Sequence, residues 1–213
     1  MQKKKLVLIG GGGHCKSCID VIEHSQEYYV FGILDHIELM GTSVLNYKVI
    51  GSDEDIKKLK EEECAFLITV GQIKSSEIRK KIFQQLIDAN AIIATIISPL
   101  ATVSKYAKIG KGTIVMHHAN INAEACIGNN CIVNTGCIIE HESTIGDHTH
   151  ISTAAVVNGN CIIGSGVFIG SNATVANNIS IKKDVILGSG SVIMRNINES
   201  GTYVGNPLVK LRA

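Results

Sequence analysis

Val133-Asn134-Thr135-Gly136-Cys137-Ile138-Ile139-Glu140-His141-Glu142-Ser143-Thr144-Ile145 places an aliphatic side chain at positions 133, 139 and 145. The same six-residue step runs from Ile97 to Ile193 through seventeen successive Ile, Val or Leu positions. Four residues after each anchor the side chain is mostly small, as at Ala101, Ala107, Thr113, Ala119, Cys131 and Ser143. A 3.6-residue helix would smear such a period around its circumference, and a hairpin meander would break it at every turn. A strict hexad fits a coil of short flat faces with one corner per hexad, a hexapeptide β-helix. Gly110, Gly128, Gly146 and Gly164 recur every 18 residues, so three hexads are read as one turn. These glycines are expected to stack at one corner where positive φ favours glycine. With stacked strands about 4.8 Å apart, about five coils make a prism about 25 Å tall.

Ahead of the coil the pattern changes. Residues 5–9 are apolar and lead into Gly10-Gly11-Gly12-Gly13, followed by a helical pattern through Cys18, Ile19, Val21 and Ile22. Tyr29 to Leu34 reads as a second strand ending at Asp35. This is βαβ order, with a glycine turn after the first strand and an acid after the second. Lys48 to Ile50 reads as a short strand, and a helix capped by Asp53 runs to Glu63. Ala65 to Val70 is a further strand. A helix capped by Ser75 or Ser76 puts Ile78, Ile82, Phe83 and Leu86 on its apolar face. Ala91 to Ile97 is expected to close the sheet, and Pro99 marks entry to the coil. The expected organisation is a small Rossmann-like α/β domain over residues 1–96, then an all-β coil with a short tail over residues 97–213.

The 213 residues suffice for two modest cores. Lys and Arg number 20 against 19 Asp and Glu, a formal charge of +1, so no nucleic-acid partner is expected. No apolar run reaches the roughly 20 residues of a membrane span, so no membrane insertion is expected. Lys3-Lys4-Lys5 before Leu6-Val7-Leu8-Ile9 imitates a signal peptide, but its apolar part is too short, and a cytoplasmic location is expected. The seven cysteines are read as reduced, buried side chains.

The turn Gly10-x-Gly12-x-x-Cys15 departs from a dinucleotide fingerprint at its third position. It still presents backbone N–H groups to a phosphate at a helix N-terminus, and Asp35 lies where a ribose-binding acid belongs. A nucleotide or nucleotide-sugar is preferred over a dinucleotide, with a purely structural turn as the plain alternative. His14 either reaches that ligand or faces water. Cys15-Lys16-Ser17-Cys18 has the spacing of a redox pair at a helix start, but packing of Cys18 on the sheet is the preferred reading.

Within the coil, polar residues gather at Asn134-Thr135, Glu140-His141-Glu142 and Asp147-His148-Thr149-His150. His141 lies two residues after an anchor, an outward position, between two carboxylates. A carboxylate holding one ring nitrogen raises the basicity of the other, so a catalytic base is weighed against a surface histidine. His150 follows nine residues later, half a coil away, and cannot share a face with His141 in one chain. No metal site is expected within a chain.

Several motifs together carry a resemblance. They are Gly10 to His14, the strand end at Asp35, Asn134-Thr135-Gly136-Cys137-Ile138-Ile139-Glu140-His141-Glu142, His150-Ile151-Ser152, Gly188-Ser189-Gly190 and Val204-Gly205-Asn206-Pro207. In these the chain resembles the NeuD/PglD-type bacterial sugar acetyltransferases of the left-handed β-helix hexapeptide acyltransferases. The resemblance implies the coil's left hand, acetyl-CoA as co-substrate, a sugar or nucleotide-sugar substrate, and a homotrimer with its sites between subunits. It implies His141 as general base, Glu142 as its supporting acid and Asn134 as an active-site polar residue. His150 would lie near the thioester, and the Gly159 N–H would hold the acetyl carbonyl, a role worth about 3–4 kcal/mol. Ser171, Gly188 and Ser189 would line the pantetheine path, and Gly12, His14, Asp35 and His36 would hold the nucleotide. Two departures stand out: Asp35-His36 where relatives carry two acids, and Pro207-Leu208 where many carry Pro-Ala.

The function so implied is direct N-acetylation of the 4-amino group of a nucleotide-linked amino-dideoxy sugar for surface glycan biosynthesis. O-acetylation of sialic acid or a related nonulosonate is the rival reaction. A non-catalytic trimeric nucleotide-sugar-binding scaffold is the alternative of another class.

Overall fold

The computed structural model describes residues 3–206 and 209–210, so the Pro207-Leu208 departure lies outside the described residues. The first sheet holds six strands. They are β1 (Lys4–Ile9), β2 (Tyr28–Leu34), β3 (Ser43–Val44), β4 (Tyr47–Gly51), β5 (Ala65–Ile68) and β6 (Ile92–Ile93). Their spatial order is β3-β4-β2-β1-β5-β6, parallel except for the β3–β4 hairpin. Because β1 pairs with β2 on one side and β5 on the other, the connections reverse direction beside it. In open α/β sheets such a reversal leaves a crevice at the carboxyl ends of the strands.

Three helices flank the sheet: α1 (Gly13–His24), α2 (Ile56–Glu61) and α3 (Glu77–Asp88). Ser52, not Asp53, caps the turn before α2. Its side chain accepts from the Glu54 N–H while Asp55 reaches back to the Ser52 N–H, a reciprocal capping box. The face of α3 also differs from expectation. Ile82 and Leu86 are buried as read, but Ile78 is 64% exposed and the fully buried neighbour is Arg79.

The strand expected over 91–97 is two strands. Ile92–Ile93 ends the first sheet, whereas Ile96–Ile97 already belongs to the coil. From there the chain winds as a left-handed parallel β-helix with three faces. Pairings such as Ile114 with Ile132 and Ile132 with His150 confirm 18 residues per coil. From Val115 to Ile193 every anchor is buried.

The corners are not built as the glycine pattern suggested. Positive φ occurs at fourteen positions spaced by six, from Gly112 to Gly190, occupied by Gly, Asn, His, Glu, Ala and Asp. Gly110, Gly128, Gly146 and Gly164 are not among them. They are small because the next coil lies against them: a Cβ on Gly110 would stand 2.5 Å from the Gly128 backbone, and one on Gly164 2.5 Å from Lys183 N. Close stacking, not backbone torsion, selects glycine there.

One face of the coil carries the first domain. The residue before each anchor on that face points outward, yet Ile96, Ile114 and Ile132 are buried in one cluster with Leu6, Cys18 and Ile22. Arg79 crosses the same junction. Its guanidinium donates to the carbonyls of Ile68 (2.9 Å) and Val70 (2.7 Å) at the end of β5, and to Asn130 O and Oδ1 in the coil. Asn130 Nδ2 returns a bond to Arg79 O at 3.2 Å.

Candidate active site

The carboxyl ends of β1, β2 and β5 border a cleft of about 450 Å³. Its walls are apolar at Ile9, Leu34, Val70, Ile78 and Ile82, which accounts for the exposure of Ile78. Its rim is polar at Asp35, His36, Glu38, Ser52, Asp53 and Glu54. Asp35 works on its own chain: Oδ2 accepts from the Gly11 N–H at 2.6 Å and Oδ1 from the His36 N–H at 2.8 Å. The carboxylate thereby pins the glycine turn to the end of β2, leaving only part of its accepting capacity for a ligand. Gly10, at φ +101°, needs the freedom of glycine, because a Cβ there would strike Val70. Gly12 is the N-cap of α1 and opens to solvent.

His14, in the first turn of α1, is largely buried, and its Nε2 has no hydrogen-bond partner among the described residues. Its ring centroid lies 6.4 Å from that of His150. His150 is 6% exposed because it occupies the outward column that the first domain covers. Its Nδ1–H donates to Gln72 O at 2.6 Å, and its Nε2 accepts from Asn134 Nδ2 at 3.1 Å. Asn134 Oδ1 in turn accepts from the Thr135 N–H at 2.7 Å. These bonds fix the tautomer of His150 and the orientation of the Asn134 amide. Burial pushes His14 down to about 3, aided by the Arg79 charge, and His150 down to about 4. Both are neutral at physiological pH.

His141 stands elsewhere, at the corner after strand Ile138–Ile139. It is exposed, with Nδ1 2.9 Å from Glu142 Oε2. A carboxylate only accepts, so Nδ1 carries the proton and Nε2 presents a lone pair to solvent. Glu142 occupies one of the left-handed corners, at φ +61°, and its N–H is held by Ala123 O. Gly159, one coil along, packs its backbone against the imidazole. Among the described residues its N–H has no intramolecular acceptor.

The expected residues thus fall into separate groups. Asn134, His150 and His14 meet at the junction of domain and coil. Ser171, whose Oγ bonds Ser152 Oγ at 3.0 Å, continues that corner toward Gly188 and Ser189. His141, Glu142 and Gly159 occupy the next corner. No hydrogen bond joins the two corners' functional groups within one chain among the described residues. Arg79 and Gln72, which organise the junction, escaped the sequence reading. A signal existed, because Ile96, Ile114, Ile132, His150 and Phe168 form an apolar column with one polar member.

The cysteines offer no nucleophile. All seven are free, and six are buried. At the start of α1 burial outweighs the helix dipole, raising Cys15 to about 11 and Cys18 further. Cys131 and Cys137 are pushed up to about 12 in the coil interior. Among the described residues no helix is long and apolar enough to cross a membrane.

A stacked hexapeptide coil with an outward His–Glu pair, joined to a small nucleotide-type domain, defines a hexapeptide acyltransferase. Residues 5–86 match the PglD N-terminal domain, and residues 142–177 and 160–195 match the bacterial transferase hexapeptide (six repeats). The acetyltransferase domain of PglB from Neisseria gonorrhoeae is 31% identical, with a TM-score of 0.92 over 98% of this chain and 100% of that one. A His-to-Asn variant of perosamine N-acetyltransferase from Caulobacter crescentus, in complex with CoA and GDP-perosamine, is 29% identical. Its TM-score is 0.92 over 98% of this chain and 97% of that one. A search of curated proteins found no match. The chain belongs to the PglD-type sugar acetyltransferases, acetyl-CoA-dependent enzymes of the left-handed β-helix superfamily.

Proposed function

We propose that the chain N-acetylates an amino sugar carried on a nucleotide, with acetyl-CoA as donor and His141 as general base. The observation that carries this reading is the His141–Glu142 pair, with its Nε2 free, beside the uncommitted N–H of Gly159. The amine nitrogen attacks the thioester carbonyl carbon, the C–N bond forms, and the carbonyl oxygen becomes an oxyanion. The Gly159 N–H stabilises that charge while His141 Nε2 takes a proton from the attacking nitrogen. Collapse breaks the C–S bond, and the proton passes to the departing thiolate. Glu142 stabilises the transient imidazolium. No acyl-enzyme is required, and six of the seven cysteines are buried.

The nucleotide would occupy the cleft at the ends of β1, β2 and β5, with its phosphates at the N-terminus of α1 and the apolar wall of Ile78 and Ile82 beneath the base. The pantetheine arm would follow the small residues at Ser171, Gly188 and Ser189. The perosamine N-acetyltransferase from Caulobacter crescentus, in complex with CoA and GDP-perosamine, and the PglB domain from Neisseria gonorrhoeae, in complex with acetyl coenzyme A, support a nucleotide sugar and a CoA thioester as the two ligand classes. The two groups of site residues sit on different corners, so a complete site needs two chains. A homotrimer that sets the His141 corner of one subunit against the Asn134–His150 corner of the next meets that need. Such an enzyme would serve polysaccharide assembly in the cytoplasm, where acetyl-CoA and nucleotide sugars are made.

The test is a thiol-release assay with acetyl-CoA and a panel of GDP-, UDP- and dTDP-linked 4-amino sugars, beside free and CMP-linked sialic acids. His141→Ala should lower kcat by about 10²–10⁴ with little change in the KM for acetyl-CoA. Near-normal turnover by that variant ends the proposed mechanism. Acetylation of the sialic acids alone ends the proposed substrate class. Light scattering checks the assembly, which should weigh about three times the 22.8 kDa of one chain.

A further inference from the structure

At the junction of domain and coil, Asp20 and His24 lie one turn apart on α1 and face His117 of the coil. One ligand atom from each, a carboxylate oxygen and two imidazole nitrogens, lies within 4.8 Å of the others. His117 Nε2 stands 2.9 Å from Asp20 Oδ2, and the rings of His24 and His117 meet edge to face at 5.1 Å.

One nitrogen of each histidine is already held. His24 Nδ1–H donates to Asp20 O at 2.8 Å, which leaves Nε2 as a lone pair. His117 Nδ1 is 2.7 Å from Ser98 Oγ, whose position is set by the Leu100 N–H at 3.0 Å. Ser98 itself is buried. Histidines that bind metals are held in this way, with the second nitrogen on a carbonyl or hydroxyl that fixes ring and tautomer.

We propose that Asp20, His24 and His117 form a binding site for a divalent transition metal of the zinc class. Two imidazoles and one carboxylate suit zinc, nickel or copper rather than magnesium or calcium, which favour all-oxygen sets. Tetrahedral ligands at zinc distances stand about 3.4 Å apart, so the 2.9 Å Asp20–His117 contact needs to open slightly while His24 moves in from within 4.8 Å. Asp20 and His24 are exposed and free to make that adjustment, whereas the less accessible His117 is the fixed point. Zinc requires the Nε2 lone pair of His117. Its proton moves to Nδ1, where Ser98 Oγ accepts it, so a neutral ring releases none. Because α1 belongs to one sheet domain and His117 to the coil, the ion would tie the two together.

The test uses the full-length, tag-free protein titrated calorimetrically with zinc chloride at pH 7.5. The wild type should bind one zinc per chain, with Asp20→Asn, His24→Gln and His117→Gln each at least about tenfold weaker. Ser98→Ala should weaken binding by about 10–100-fold, as loss of an outer partner does. Zinc about 100-fold above the wild-type Kd should raise the wild-type Tm by roughly 5–10 °C and the His24→Gln Tm by at most about half as much. The exposed positions of Asp20 and His24 keep those variants folded even if His117→Gln is not. No binding by the wild type at about 100 µM zinc, or unchanged binding in Asp20→Asn and His24→Gln, overturns the site.

Discussion

Gly159 lies directly against His141: a Cβ on the glycine would stand 2.6 Å from Cε1 and 2.7 Å from Nε2 of the imidazole. The glycine therefore sets where the base sits. Gly159→Ala should push the ring aside while leaving the buried anchors untouched. Misplacement by about 1 Å can cost about 10²-fold in rate. We expect a fall of that order in kcat with an unchanged circular dichroism spectrum, and a near-normal kcat would refute the positional role.

Ile78 should affect binding rather than folding. Its side chain is exposed and lines the cleft, so Ile78→Ser removes apolar contact for a base without opening a core cavity. The KM for the nucleotide sugar should rise about tenfold, from the loss of about 1.5 kcal/mol of apolar burial. Denaturant midpoints should match the wild type. A large loss of stability would show that Ile78 packs as core.

Arg79→Met should have the opposite profile. It strands the carbonyls of Ile68 and Val70 and the Asn130 side chain in a dry junction, a loss of about 3 kcal/mol. The Tm should fall by roughly 6–12 °C. Nucleotide-sugar and acetyl-CoA KM values measured well below that Tm should be nearly unchanged.

Stability should fall on mild acidification through His14 and His150. Both have folded pKa values below the unfolded value of about 6.5, so the unfolded chain binds the extra protons. Stability is fully present above about pH 6.5 and is lost as pH falls toward about 4. Between pH 7 and pH 5 each histidine should remove about 2 kcal/mol. Urea unfolding at the two pH values reads the loss, and His14→Gln should remove about half of it. An unchanged midpoint in the wild type would show that these rings are not buried as neutral groups.

The sequence made the coil legible because its period is written in one residue class. Seventeen aliphatic anchors fix register and coil length with no knowledge of what lies outside them. Corner chemistry was read less well. Fourfold recurrence of glycine suggested positive φ at Gly110, Gly128, Gly146 and Gly164, but that torsion falls at a different set of corners, most of them Asn, His, Glu or Asp, while these four glycines answer to a neighbour's backbone that no local pattern reveals. The same blindness to tertiary neighbours placed Ile78 in the core and left Arg79 unnoticed. The His141–Glu142 pair was legible because both members lie side by side in sequence. The setting of His150 was not, because Gln72 stands 78 residues away.

The 18-residue coil also restricts how this chain can change in length. Removing one hexad between Gly159 and Ser171 would preserve the six-residue spacing of the inward aliphatic positions. It would also turn everything beyond the deletion by a third of a revolution, carrying Ser171, Gly188 and Ser189 onto a different edge of the prism. The shortened protein would fold and yet be misaddressed, with its cofactor groove turned away from the edge that a neighbouring subunit's base would meet. Only changes of a whole coil keep the edges in phase, so length in this half of the molecule is quantised by function more strictly than by folding.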